Sequence, residues 1–167
     1  MKKIATLADH LPEDVFKKLQ DLRYPLLLTT GNIHLLELTE EDGIVLPLGK
    51  KSHSKFVVIV GYNKNDEQQI GCVLINSRPN PRIFPTVETR QDFHAIYRKN
   101  YSFIKDKDHD PSYIDCGQIF SFSKDRIKIA NQHKGELLKR DLYRVIQKIN
   151  NSDRIDGYIF DEYEFVY

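Results

Sequence analysis

The sequence predicts a mainly β (α+β) domain: a small barrel or curled sheet of about five to seven antiparallel strands, with an N-terminal and a C-terminal helix. Three observations carry this reading. Phe56 to Gly61 (Phe-Val-Val-Ile-Val-Gly) is a continuous β-branched run, the pattern of a strand buried on both faces. Ile70 to Asn76 returns across the polar loop 63–69 as its antiparallel partner. Glu136 to Ile149 places Leu138, Leu142, Val145, Ile146 and Ile149 at helical spacing. With 167 residues against about 150 per domain, a single domain is expected.

The elements follow in chain order. Residues 12–22 read as a short helix: Pro12 suits a first turn, and Glu13 and Asp14 complement the positive end of the helix dipole. Val15, Phe16, Leu19 and Leu22 line one face, and Pro25 stops it. Ile33 to Leu38 reads as a strand, residues 40–43 as a polar turn, and Ile44 to Leu48 as a second short strand. The prolines at 79, 81 and 85 break the sheet after Ser77, because proline cannot donate to a ladder. Asp92 to Tyr101 reads as a helical turn and residues 106–111 as a charged loop, before a strand from Ile114 to Phe122. Asn150-Asn151-Ser152 ends the last helix, and Tyr158 to Tyr167 reads as an edge strand or a docking segment.

Composition narrows the function classes. Lys and Arg number 25 against 24 acids, a net of +1, which excludes a uniformly basic nucleic-acid coat but leaves room for a local groove. Residues 50–107 hold eleven bases and five acids, a net of +6, whereas residues 153–167 hold one base and five acids, a net of −4. A basic middle attracts phosphates and an acidic tail can shield it; both also read as ordinary solvated surface. Cys72 and Cys116 fit neither a metal spacing nor a disulfide scaffold, and both read as small buried hydrophobes. The six histidines do not gather at ligand spacing, so no metal or other cofactor is expected. His34, among leucines, reads as a satisfied structural histidine. No apolar run reaches the length of a membrane span and no signal peptide opens the chain, so a reduced, soluble, cytoplasmic protein is expected.

The order of strands resembles the MazF/PemK toxin family. Gly31-Asn32-Ile33-His34-Leu35-Leu36-Glu37-Leu38 resembles that family's opening Gly-Asp-Ile strand. Lys55-Phe56-Val57-Val58-Ile59-Val60 resembles its basic residue, proline and aliphatic strand; Cys72 to Ser77 resembles its third strand, which ends in Thr or Ser. Ile114-Asp115-Cys116-Gly117-Gln118-Ile119 resembles the Asp-Gln-Ile strand, and Gly135-Glu136-Leu137 the start of the C-terminal helix. The resemblance spans residues 31–150, with an inserted segment at 79–113 and an acidic aromatic tail at 151–167.

That resemblance implies an SH3-like barrel and a metal-independent, sequence-selective endoribonuclease that cuts single-stranded RNA to 2′,3′-cyclic phosphate and 5′-OH ends. It further implies a homodimer and a cognate antitoxin protein. Such chemistry needs a base at the 2′-OH, a cation on the developing phosphorane charge and an acid for the leaving oxygen. By position, the family's Arg falls on Lys55, a point charge in place of a planar fork, and its proline falls on Phe56. Its Thr or Ser falls on Asn76 or Ser77; Arg78 can supply a guanidinium, and His53 a group that titrates near neutrality.

Substrate-binding candidates are Arg78 and Arg82, beside the prolines, and Tyr97, Arg98, Lys99 and Tyr101, where rings alternate with cations as on a base-stacking surface. Each has a plainer reading: Lys55 as a gatekeeper beside an aggregation-prone strand, Asn76 and Ser77 as turn formers, and residues 97–103 as an amphipathic closure of the barrel. The rival functions are a non-catalytic SH3-like barrel that binds nucleic acid or protein, and a barrel that poisons a partner enzyme as the related CcdB fold does. In the latter the tail would carry the contact. The tail also reads as a nucleic-acid mimic lying over the basic stretch.

Overall fold

The computed structural model describes residues 15, 25–105 and 107–167. The helix expected over 12–22 lies, but for Val15, outside the described residues. The β-branched run forms the middle of β2 (His53–Asn63), which is flanked by β1 (Asn32–Leu38) and β3 (Gln69–Asn76). β4 (Phe93–Ile96), β5 (Ser112–Ser123), β6 (His133–Glu136) and β7 (Tyr163–Phe165) complete a seven-stranded antiparallel sheet. Its order is β4-β5-β3-β2-β1-β6, and β7 pairs with β2 beyond the end of β1. Register shifts at Ile33/His34, Ile59/Gly61 and Cys72/Leu74 mark bulges, which bend strands and raise their twist. The result is mainly β, a curled half-barrel with a few helices.

Because the sheet is buried on both faces, its strands read as continuous apolar runs. One face carries Val58, Val73, Ile75, Ile114 and Cys116 against Leu142, Val145, Ile146 and Ile149 of helix α2 (Lys139–Asn150). The other carries Val57, Ile59, Cys72, Leu74 and Phe122 against Ile127 of helix α1 (Lys124–Ala130), with Leu28 and Ile44. Ser123 caps α1 by accepting from Arg126 N, and Asn131 closes it in the left-handed region at φ 46°. The two cysteines are buried and unpaired, and burial pushes both thiols up.

Four expectations are corrected. Residues 44–48 form no strand: Pro47 lacks a donor, Gly49 turns at φ 77°, and Val45 and Leu48 project into solvent. Residues 92–101 are not a helical turn throughout. Phe93 and Ile96 are the buried ends of β4, whose pairing with β5 overrides a spacing that also fits a helix. Glu136 does not open the last helix, since His133–Glu136 pairs with β1 and α2 begins at Lys139. The tail is not one edge strand but helix α3 (Gly157–Glu162) followed by β7.

An arginine joins the segment after α2 to the sheet. Arg154 donates from Nε to Asp92 Oδ2 at 2.7 Å and from Nη2 to Asp115, with its guanidinium 4.9 Å from the Phe84 ring centroid and 5.3 Å from that of Phe93. Gly117 leaves the space for it: a Cβ there would overlap the guanidinium.

Candidate functional site

The pairing register builds the site. Lys55 lies opposite Leu36 on one side, and Asn76 lies opposite Tyr113 on the other. The β2–β3 register, with Phe56 opposite Ile75, carries Lys55 to Asn76. Residues directly opposite share a face, so Lys55, Asn76 and Tyr113 form one row across three strands. Lys55 Nζ donates to Asn76 Oδ1 at 2.9 Å. Burial holds the ammonium below its ordinary range, and among the described residues no carboxylate forms an ion pair with it. The row thus presents a half-buried cation with donors to spare.

Beyond Asn76 the chain leaves the sheet. Ser77 and Arg78 are exposed, and with Asp108 and His109 they line a cleft of about 400 Å³. His53 sits two residues before Lys55 and so on the same strand face, exposed. Partial burial, then the charges of Lys55 and Lys50, hold its pKa below the usual histidine value, which favours the neutral ring.

The other candidates are spread more widely. Arg82 is exposed in the turn where its backbone N–H donates to Asn80 Oδ1 at 3.0 Å. Tyr97, Arg98 and Lys99 are exposed after β4, with Lys99 Nζ 5.8 Å from the Tyr97 ring centroid. Tyr101 is a correction: it is 4% exposed, and its hydroxyl bonds Asp141 and accepts from Leu138 N at 3.2 Å. It serves an orphan donor at the start of α2, so its ring is not available for stacking on a base. The acidic tail does not lie over the candidate site. The hydrogen bonds of Phe160 to Phe165 fall on Gly61 to Lys64 and on Ser121, at the other end of β2 from Lys55, and Arg154 reaches Asp92 and Asp115.

Sequence reasoning missed Tyr113 and His109. Tyr113 had a signal, since it precedes the Ile114 strand start by one residue. His109 had none, because the fold of residues 79–113 alone brings it beside Arg78.

A second polar group lies under β1. His34 is buried, with Nε2 at 2.8 Å from the Leu27 carbonyl and its ring 5.3 Å from that of His133, while His133 Nε2 meets Asn32 Oδ1 at 2.8 Å. His34 is buried, but it is not the satisfied histidine expected, because its Nδ1 has no hydrogen-bond partner. Burial is the larger of the causes that lower its pKa.

Among the described residues no group of three His, Cys, Asp or Glu is placed to hold a metal ion, and no helix is long and apolar enough to cross a membrane. Neither a protein-family model nor a curated protein matches the chain.

Proposed function

We propose that this chain is an endoribonuclease of the MazF/PemK kind, an SH3-like barrel that cuts single-stranded RNA without a metal ion. The observation that supports it is the Lys55–Asn76 pair, a half-buried ammonium held at 2.9 Å by a carboxamide where β3 ends and Ser77 and Arg78 begin. In this reading Lys55 and Arg78 neutralise the charge that develops on the phosphorane. Asn76 positions the ammonium, and the Ser77 hydroxyl donates to a non-bridging oxygen. His53, biased toward its neutral form, takes the proton of the attacking 2′-OH. The 2′-oxygen forms its bond to phosphorus as the bond to the 5′-oxygen breaks, which gives the cyclic phosphate. A homodimer and an antitoxin partner belong to the same reading.

The test is incubation of the purified protein with a long single-stranded RNA in EDTA, with fragment ends mapped. The expected result is discrete cuts with 2′,3′-cyclic phosphate and 5′-OH ends, slowed about 10²-fold or more by Lys55→Ala. Intact RNA from folded protein refutes the reading.

Lysine at this place supports a second reading. A point charge binds phosphate without the bidentate fork, as suits a barrel that holds nucleic acid and does not cut it. In that case Lys55→Ala weakens RNA binding and no fragments form.

A further inference from the structure

The cleft that begins one residue past Asn76 is made by two distant stretches of chain. Ser77 and Arg78 come from the end of β3, while Asp108 and His109 come from the helical turn Lys107–His109 in the inserted segment. That turn is fixed from both sides. Asp110 N donates to the Lys107 carbonyl at 3.1 Å, and Ser112 Oγ, at the start of β5, donates to the His109 carbonyl at 2.7 Å. Asp110 Oδ1 in turn accepts from Arg98 N at 3.0 Å, tying the turn to the chain after β4. The end of the insertion therefore returns to Ser77 and Arg78 and sets an imidazole in the same wall as a guanidinium and a hydroxyl.

Those groups match the needs of a phosphodiester. Arg78 offers a planar fork to two non-bridging oxygens, Ser77 offers one more donor, and His109 offers a ring N–H. Asp108 is the fourth residue of the wall.

We infer that this cleft receives the scissile phosphodiester and that His109 is the catalytic residue that protonates its leaving 5′-oxygen. The inference rests on the ribonuclease reading and divides the proton transfers between two histidines. His53 accepts the proton of the 2′-OH as the 2′-O–P bond forms. His109, as imidazolium, gives its Nε2 or Nδ1 proton to the 5′-oxygen as the P–O5′ bond breaks, and ends neutral. The charge that crosses to the oxyanion is met by Lys55 and Arg78. Hydrolysis plays no part in this step, so no water is consumed.

Two measurements test it on the full chain. The first does not depend on cleavage: inorganic phosphate is titrated into protein labelled at histidine nitrogen, and the ring signals are followed. Saturable movement of the His109 signals, lost in Arg78→Ala, is expected; no movement overturns the cleft as an anion site, whatever happens to RNA. The second compares cleavage of ordinary RNA with RNA carrying sulfur in place of the scissile 5′-oxygen, a leaving group that needs no proton. His109→Gln is expected to slow the ordinary substrate about 10²-fold or more and to leave the sulfur substrate near the wild-type rate. Equal slowing of both substrates, or of neither, overturns the proton-donor role and leaves the ribonuclease reading standing. Saturable phosphate binding with every RNA left intact overturns both the reading and the catalytic role, and leaves an anion site only. His109 is exposed, so the substitution is not expected to disturb folding.

Discussion

Arg154 gives the sharpest test of how the fold is held. Its guanidinium joins Asp92, which is only 5% exposed, to Asp115 on β5, and rests on Phe84 and Phe93. Arg154→Ala leaves the Asp92 carboxylate buried beside a lost partner, and breaking a buried pair costs about 3–5 kcal/mol. Water reaches the Arg154 side chain, which is 30% exposed, so the lower end applies: about 3 kcal/mol. For a chain of this size each kcal/mol moves Tm by about 2–4 °C, giving a fall of about 6–12 °C on thermal unfolding followed by circular dichroism. Gly117→Ala attacks the same joint from the other side, because its Cβ displaces the guanidinium, and a comparable loss is expected. In the Arg154→Ala background that obstacle is gone, so Gly117→Ala becomes nearly neutral and the cycle shows a coupling of about 3 kcal/mol. A fall under about 2 °C for Arg154→Ala, or strictly additive losses, refutes the reasoning.

Four further outcomes follow from the same geometry. His34 is held neutral by burial, so the unfolded chain, with an ordinary pKa of 6.5, takes up a proton that the folded chain refuses. Its contribution is whole above that pH and is lost as pH falls below it; urea unfolding from pH 7 to 5 should show a slope up to about 1.4 kcal/mol per pH unit steeper than in His34→Gln. Gly61→Ala puts a Cβ at 2.5 Å from the Glu164 carbonyl oxygen and 2.9 Å from the Phe165 ring, so β7 must shift, at about 1–3 kcal/mol by chemical denaturation. Deleting residues 157–167 removes Tyr163, buried and bonded to Ser121 at 2.7 Å, and the packing of Ile159, Phe160 and Phe165, and should cost more than about 3 kcal/mol. Neutralising Asp161, Glu162 and Glu164 together should leave RNA affinity within about twofold, whereas a large gain would show that the tail shields the binding surface.

The central strands were legible because both faces of the sheet are covered, which writes Phe56 to Gly61 and Ile70 to Asn76 as unbroken apolar runs. The pairing of Lys55 with Asn76 was within reach for the same reason: a polar loop at 63–69 fixes an antiparallel return, and the return sets the register. What the sequence hid depends on distant partners. Phe93 and Ile96 fit a helix or a strand equally well, and only the presence of β5 decides between them. Tyr101 sits in a basic, aromatic stretch that suits a surface, yet Asp141, 40 residues later, draws its hydroxyl inward. His109 carries no local sign at all, because its neighbour Arg78 lies across the inserted segment.

The attachment of β7 has a consequence for how the protein is made. Asn63 pairs with Tyr163, a hundred residues further along the chain. At about 5–20 residues per second, a ribosome spends about 5–20 s between delivering one partner and the other. The β2–β3 hairpin needs only about 1–10 μs, so for almost all of that interval the far half of β2 is folded on one side and bare on the other. Such an edge invites pairing with a neighbouring nascent chain. The polar run from Asn63 to Gln69, with Lys64, Asp66 and Glu67, stands beside that bare edge, where charged residues discourage sticking. The loop that turns the hairpin thus also guards the strand until its second neighbour is synthesised.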